Sequence, residues 1–191
     1  MIPTSTRPLR RRLTASAASL VLAGTAGLVA ATGAAAHAAP AAHAITPLAA
    51  KCSQSYLPLP DPKCQPGAFN PDVTQDTIDD TICVPGWTKT VRPPASYTTK
   101  LKRQQIAEYG YSDTNLSDYE EDHFVPLELG GAPRDPKNLW PQPHFGDQTA
   151  DDKDKVENKL KVAVCDGRVT LDAARDAIVT DWTTALDRLG L

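Results

Sequence analysis

The stretch Tyr119-Glu120-Glu121-Asp122-His123-Phe124-Val125-Pro126-Leu127-Glu128-Leu129-Gly130-Gly131, with Asn138-Leu139-Trp140-Pro141-Gln142 after it, decides how this chain is read. At Asp122-His123 a carboxylate directly precedes an imidazole. Taken alone, an adjacent Asp and His suit a satisfied structural pair; the surroundings point to chemistry. The carboxylate is a ligand for a hard cation, and the imidazole is a general base for a water held beside that cation. Gly130-Gly131 permits a sharp reversal. Asn138 returns 15 residues after His123, placed to hydrogen-bond near it. A helix from about residue 150 closes the third side. Strand, loop, strand and helix then clamp one divalent ion and one phosphate.

Downstream, Val156, Leu160 and Ala163 repeat at helical spacing and predict a helix over 150–164, stopped by Asp166-Gly167. Ala174, Ile178, Trp182, Ala185, Leu186 and Leu189 predict one further helix over 171–189, with Thr170 as its cap and a core-facing stripe. Upstream, Tyr97 to Gly110 reads as a helix capped by Thr98 or Thr99 and ended by glycine. Residues 71–97 look irregular, with a short turn or strand at Thr77–Cys83. Between Thr81 and Ala107, Lys89, Arg92, Lys100, Lys102 and Arg103 stand without an acid among them. That stretch reads either as a solvated face or as a contact surface for backbone phosphates.

The first 50 residues contain no acid, and their charges are Arg7, Arg10, Arg11 and Arg12. An Ala-rich apolar run to about Ala36 and the small-x-small end Ala36-His37-Ala38 describe a secretory signal over 1–38, cleaved after Ala38 or after Ala44. Loss of those four arginines takes the net charge from −3 to −7. The exported protein is therefore acidic and does not coat nucleic acid by bulk charge. Cys52, Cys64, Cys83 and Cys165 all lie in the exported part, an even count that reads as two disulfides. Three pairings are open; Cys52–Cys64 with Cys83–Cys165 is preferred, because it closes a Pro-rich loop and ties the start of the domain to its late helices. No Cys-x-x-Cys pair suggests zinc. Residues 39–75 are expected to be a Pro- and Ala-rich extended arm, and 76–191 the folded domain.

Asp122-His123-x-x-Pro126, Gly130-Gly131 and Asn138-Leu139 resemble the HNH endonucleases of the ββα-metal (His-Me finger) superfamily. The likeness is closer to a secreted bacterial subgroup through Pro126-Leu127-Glu128-Leu129-Gly130-Gly131, Asn138-Leu139-Trp140-Pro141-Gln142 and Lys153-Asp154-x-x-Glu157. It covers about residues 80–185. The resemblance implies catalytic roles for His123, as general base, and for Asn138, which orients it by fixing the loop. It implies Asp122 as a ligand to magnesium or manganese. A second ligand, His or Asn, is usual near the start of the closing helix. Here Asp147 or Asp151 stands in that neighbourhood, and Asp151 is preferred. Arg92 and Arg134 are candidates to hold phosphate; His144 is a candidate for metal or a product phosphate but reads rather as an exposed loop residue. Lys153 and Glu157, four apart, read as an intrahelical ion pair, with a packing role for Glu157 implied by the resemblance.

The expectation is an α+β fold: a small ββα-metal core with additional helices and a disulfide-pinned N-terminal arm. The expected function is a secreted, monomeric, metal-dependent nuclease that hydrolyses DNA, or RNA, with little sequence preference. It needs no obligate protein partner and has no membrane attachment after signal cleavage. The competing expectation is a non-catalytic extracellular binding protein on a decayed HNH scaffold. No Gly-x-Ser-x-Gly elbow or Cys-His arrangement favours another hydrolase.

Overall fold

Five α-helices and one two-stranded antiparallel sheet make up residues 51–191, the part of the chain that the computed structural model describes. The arrangement is α+β. The expected signal segment, its cleavage after Ala38 or Ala44, and the arm as far as residue 50 lie outside the described residues.

In chain order the elements are α1 (Trp87–Val91), α2 (Ala95–Tyr109), β1 (Tyr119–His123), β2 (Leu139–Pro143), α3 (Ala150–Cys165), α4 (Leu171–Asp181) and α5 (Ala185–Leu189). Helix α2 begins earlier than the Thr98 or Thr99 cap expected for it. Pro94 is its N-cap, and Pro93-Pro94 supplies the fixed backbone angle of a helix start without an N–H to satisfy. Gly110 ends it at φ 64°, the left-handed turn that only glycine adopts freely. A capping box between Thr149 and Asp152 starts α3. The single helix expected over 171–189 is two. The Asp181 carboxylate accepts from the Thr183 N–H at 3.0 Å and its hydroxyl at 2.7 Å, a local alternative to helical bonding that breaks the run. Trp182 stays buried at that break, with its indole N–H donating to the Pro58 carbonyl at 2.9 Å. Thr77–Cys83 holds no strand; a 3-10 helix spans Gln75–Asp80.

β1 and β2 pair from Tyr119↔Pro143 to His123↔Leu139, with Asp122 opposite Trp140. Helix α2 packs against both strands and α3 against β1. An aromatic core of Tyr109, Tyr111, Tyr119, Phe124 and Trp140 lies on one side. An aliphatic core holds Leu129, Leu160, Leu171, Ile178 and Trp182. The turn after β1 therefore enters both cores, through Phe124 and Leu129, and its first residues are positioned from two directions.

From residue 51 onward the arm is not extended as expected but packs into this body, with Cys52, Asp61, Gln65 and Val73 buried. Tyr109 donates its hydroxyl to Gln65 at 2.6 Å and accepts the Asp61 N–H at 3.0 Å. Phe69 forms a bridge with Gly131. The disulfides are Cys52–Cys64 and Cys83–Cys165. Among the described residues no helix is long and apolar enough to cross a membrane.

Candidate functional site

Asp122 and His123 end β1, and both are buried, at 7% and 5% exposure. The chain then turns through Pro126 to Gly131, a turn that leans on two glycines for different reasons. Gly130 sits at φ 74°. At Gly131 the need is space: a Cβ would meet the Val125 carbonyl oxygen at 1.8 Å. Asn138, wholly buried, knits this turn to β2. Its Oδ1 accepts from Val125 N–H at 2.9 Å and Ala68 N–H at 3.3 Å. Its Nδ2 donates to the carbonyls of Val125 at 3.0 Å and Ala132 at 3.1 Å. Arg175, from α4, adds a second clamp by donating to Leu129 O at 2.8 Å and Val73 O at 3.0 Å.

The turn delivers the Pro133 carbonyl to the imidazole. His123 Nε2 lies 3.0 Å from Pro133 O. A carbonyl only accepts, so Nε2 carries the proton and Nδ1 keeps its lone pair. Nδ1 has no protein partner among the described residues and is not among the sealed polar atoms. Burial, with help from the charges of Arg92 and Lys153, holds the His123 pKa below the ordinary imidazole value despite Pro133 and Asp122. The ring is thus a neutral base with one fixed tautomer.

Behind Asp122 stands Lys153, fully buried on α3. Its ammonium donates to Asp122 Oδ2 at 2.8 Å, to the His123 carbonyl at 2.9 Å and to Glu157 Oε1. Burial pulls the amine's pKa down, but Asp122 and Glu157 more than reverse this and keep it charged. The Trp140 indole N–H adds a contact to Asp122 Oδ2 at 3.3 Å. Asp122 Oδ1 has no hydrogen bond and is not among the sealed atoms.

Two clefts meet at His123. The smaller, about 210 Å³, is lined by Arg92, Glu120, Asp122, His123, Glu128, Asp154, Glu157 and Asn158, with Leu127. The larger, about 520 Å³, shares Arg92, Glu120 and His123 and runs along α2 past Thr98, Thr99 and Lys102 to Ser117 and His144. Arg92, expected from sequence, lies where the two join. The smaller cleft sets one arginine against five carboxylates. Burial first, and then mutual repulsion, raise the pKa values of Glu120 and Asp154: Asp122 and Asp154 act on Glu120, and Asp122 and Asp151 on Asp154. Burial likewise raises Glu128, with Lys161 opposing and Asp154 adding.

The helix-side acids at this cleft are Asp154 and Glu157, the latter tied to Lys153, and neither Asp151 nor Asp147 is among them. The Asp151 side chain is 71% exposed and pairs at 3.6 Å with Nδ1 of His144, which lines the larger cleft. Asp147 is exposed and lines neither cleft. Arg134 also lines neither; its carbonyl accepts the Tyr97 hydroxyl at 2.6 Å. Of the basic run, only Arg92 and Lys102 reach the clefts. Lys102 is already committed to the carbonyls of Leu116 and Tyr119, at 2.8 and 2.7 Å. The sequence pattern includes Asp154, in Lys153-Asp154-x-x-Glu157, without giving it a role, and leaves out Asn158, although their i, i+4 spacing on the closing helix was the available signal. It also missed Glu121, 9% exposed on the strand itself, whose carboxylate oxygens are both sealed without a partner. Burial pushes Glu121 up to about 9, with Lys102 opposing and Asp122 adding.

The donor set suits a small divalent cation. Asp122 Oδ1 and Asp154 offer hard oxygens of the kind that magnesium takes one or two at a time while keeping its own waters. Among the described residues no three His, Cys, Asp or Glu side chains gather closely enough to enclose an ion by themselves. The chain matches no protein-family model, no curated protein and no solved structure.

Proposed function

We propose that this protein is a secreted, divalent-metal-dependent nuclease of the HNH type, built on a ββα-metal core of β1, β2 and α3, that hydrolyses phosphodiester bonds of DNA or RNA without reading sequence. The observation that carries the reading is the juxtaposition at the smaller cleft. A neutral imidazole with Nδ1 unpaired stands beside five carboxylates that outnumber their two cations, Arg92 at the cleft and Lys153 behind Asp122 and Glu157. Such a pocket repels a phosphate until a cation enters it.

Asp122 and Asp154 would hold that cation, which when bound neutralises charge on the phosphate and on the leaving oxygen. His123 Nδ1 accepts the proton of the attacking water, and Pro133 keeps the ring turned so that Nδ1 is the nitrogen presented. Asn138 touches no substrate. It holds the Val125 and Ala132 carbonyls in place and so positions the turn that carries Pro133. Arg92, without an ion-pair partner among the described residues, steadies the phosphate at the junction of the clefts. Disulfides and an acid-free leader support export, and the acidic total supports a low-affinity enzyme that releases its product.

A second reading, a binding protein on a decayed scaffold, draws on the ion pair between Lys153 and Asp122, which already neutralises one oxygen of the ligand. Incubation of the oxidised protein with supercoiled plasmid and with single-stranded RNA, with magnesium or with EDTA, separates the two. Cleavage that needs magnesium and disappears in His123→Ala supports the enzyme. A folded protein that cuts neither substrate with magnesium or manganese supports the binding protein.

A further inference from the structure

We propose that Lys153 and Trp140 together take up Oδ2 of Asp122, so that only Oδ1 faces the cleft, and that Lys153 is thereby a positioning residue that sets a preference for a small octahedral cation over a larger one. The inference rests on the metal-dependent reading of the cleft and goes beyond it, to which ion is taken and what chooses it.

The ammonium of Lys153 has three protons and three acceptors, Asp122 Oδ2, His123 O and Glu157 Oε1. It is therefore saturated, and with no exposure it has no water to exchange for any of them. Trp140, equally buried, approaches the same oxygen from β2. A carboxylate gripped at one oxygen from two elements does not swing to present both. Calcium accepts six to eight oxygens and readily takes a carboxylate bidentately, whereas magnesium holds six ligands in a tight octahedron and is served by single oxygens and waters. A one-oxygen Asp122 thus withholds from calcium the ligand it would gain and withholds nothing from magnesium. The bond from Lys153 to the His123 carbonyl places the base under the same control, so one side chain sets the spacing between ligand and base.

The test is calorimetric titration of magnesium and, separately, calcium into the full-length, oxidised, chelator-treated protein. The variant Lys153→Met/Glu157→Gln removes one positive and one negative charge together, so that no lone lysine or glutamate charge is left by the exchange. Its calcium-to-magnesium affinity ratio is expected to rise by about tenfold or more, the scale on which groups behind a ligand tune a site. Glu157→Gln alone keeps the Asp122 bond and is expected to leave the ratio within about twofold, weakening both ions alike. A folded double variant with the wild-type ratio overturns the proposal. Should the double variant not fold, Trp140→Phe carries the test: a smaller rise in the ratio supports the proposal and an unchanged ratio overturns it. Wild-type protein that binds neither ion overturns the reading of the cleft itself, a result distinct from binding whose ratio ignores these substitutions.

Discussion

The imidazole of His123 is set by the backbone of a residue ten positions away: its Nε2 lies 3.0 Å from the carbonyl of Pro133. That bond leaves Nδ1 as the basic nitrogen, and burial keeps the ring neutral. Replacement by alanine is expected to lower the rate of phosphodiester cleavage by about 10²–10⁴-fold, the usual contribution of a positioned base. Circular dichroism of the variant should match wild type, since the ring makes one hydrogen bond.

Asn138 is expected to behave differently. Asn138→Ala strands the Val125 N–H and carbonyl, both of which it satisfies, and the cost in stability is about 2–4 kcal/mol. Asn138→Asp keeps the acceptor but sets a carboxylate against the carbonyls of Val125 and Ala132, so it should destabilise as well. Where either variant remains folded, kcat should fall with little change in KM. Thermal melts and steady-state kinetics check both points.

Asp154→Asn is expected to weaken magnesium binding and activity at least about tenfold, and Asp151→Asn to leave both near wild type. The geometry behind this contrast is the register of α3. With Lys153 turned toward Asp122, Asp154 and Asn158 flank the cleft, whereas Asp151 points to His144. Calorimetry on the two variants decides it.

Hairpin and closing helix were legible because their signals are local: paired glycines, a short run that ends in Asp-His, and a capped helical repeat. The ion pair of Lys153 with Glu157 was legible in their spacing, but its burial and the bond from Lys153 to Asp122 were not. Lys and Glu four apart look the same on a solvated helix as in a core, and only the packing of α3 against β1 buries this pair. The place of Asp154 on the cleft escaped for a related reason, because a helix start is readable but the face it turns to a strand is set by tertiary contact. The break between α4 and α5 escaped because the apolar stripe continues through it, with Trp182 and Ala185 both buried.

Glu121 carries a stability prediction that is independent of catalysis. Its pKa is raised from 4.5 to about 9, chiefly by burial without a hydrogen-bond partner. The folded protein keeps this proton where the unfolded chain has lost it. Stability is therefore fully present below about pH 4 and declines as pH rises toward 9. In EDTA at pH 8, Glu121→Gln is expected to be more stable than wild type, by on the order of 1–3 kcal/mol, with the gap closing toward pH 4. Urea unfolding at the two pH values measures it.

The two disulfides should differ in weight. Cys83–Cys165 closes a separation of 82 residues and Cys52–Cys64 one of 12. Chain-entropy arguments assign them about 4.5 and about 3 kcal/mol respectively. Paired serine substitutions, each followed by a melt, should show the larger loss for Cys83–Cys165.

The most direct measurement of the central claim is the pH–rate profile of a simple phosphodiester substrate at saturating magnesium, for wild type and His123→Ala. With His123 as the neutral general base, the rate is already high at neutral pH, falls on acidification through a pKa below 6.5, and is lost in the variant and in EDTA. A rate that survives EDTA, or a His123→Ala protein with the wild-type profile, would contradict it.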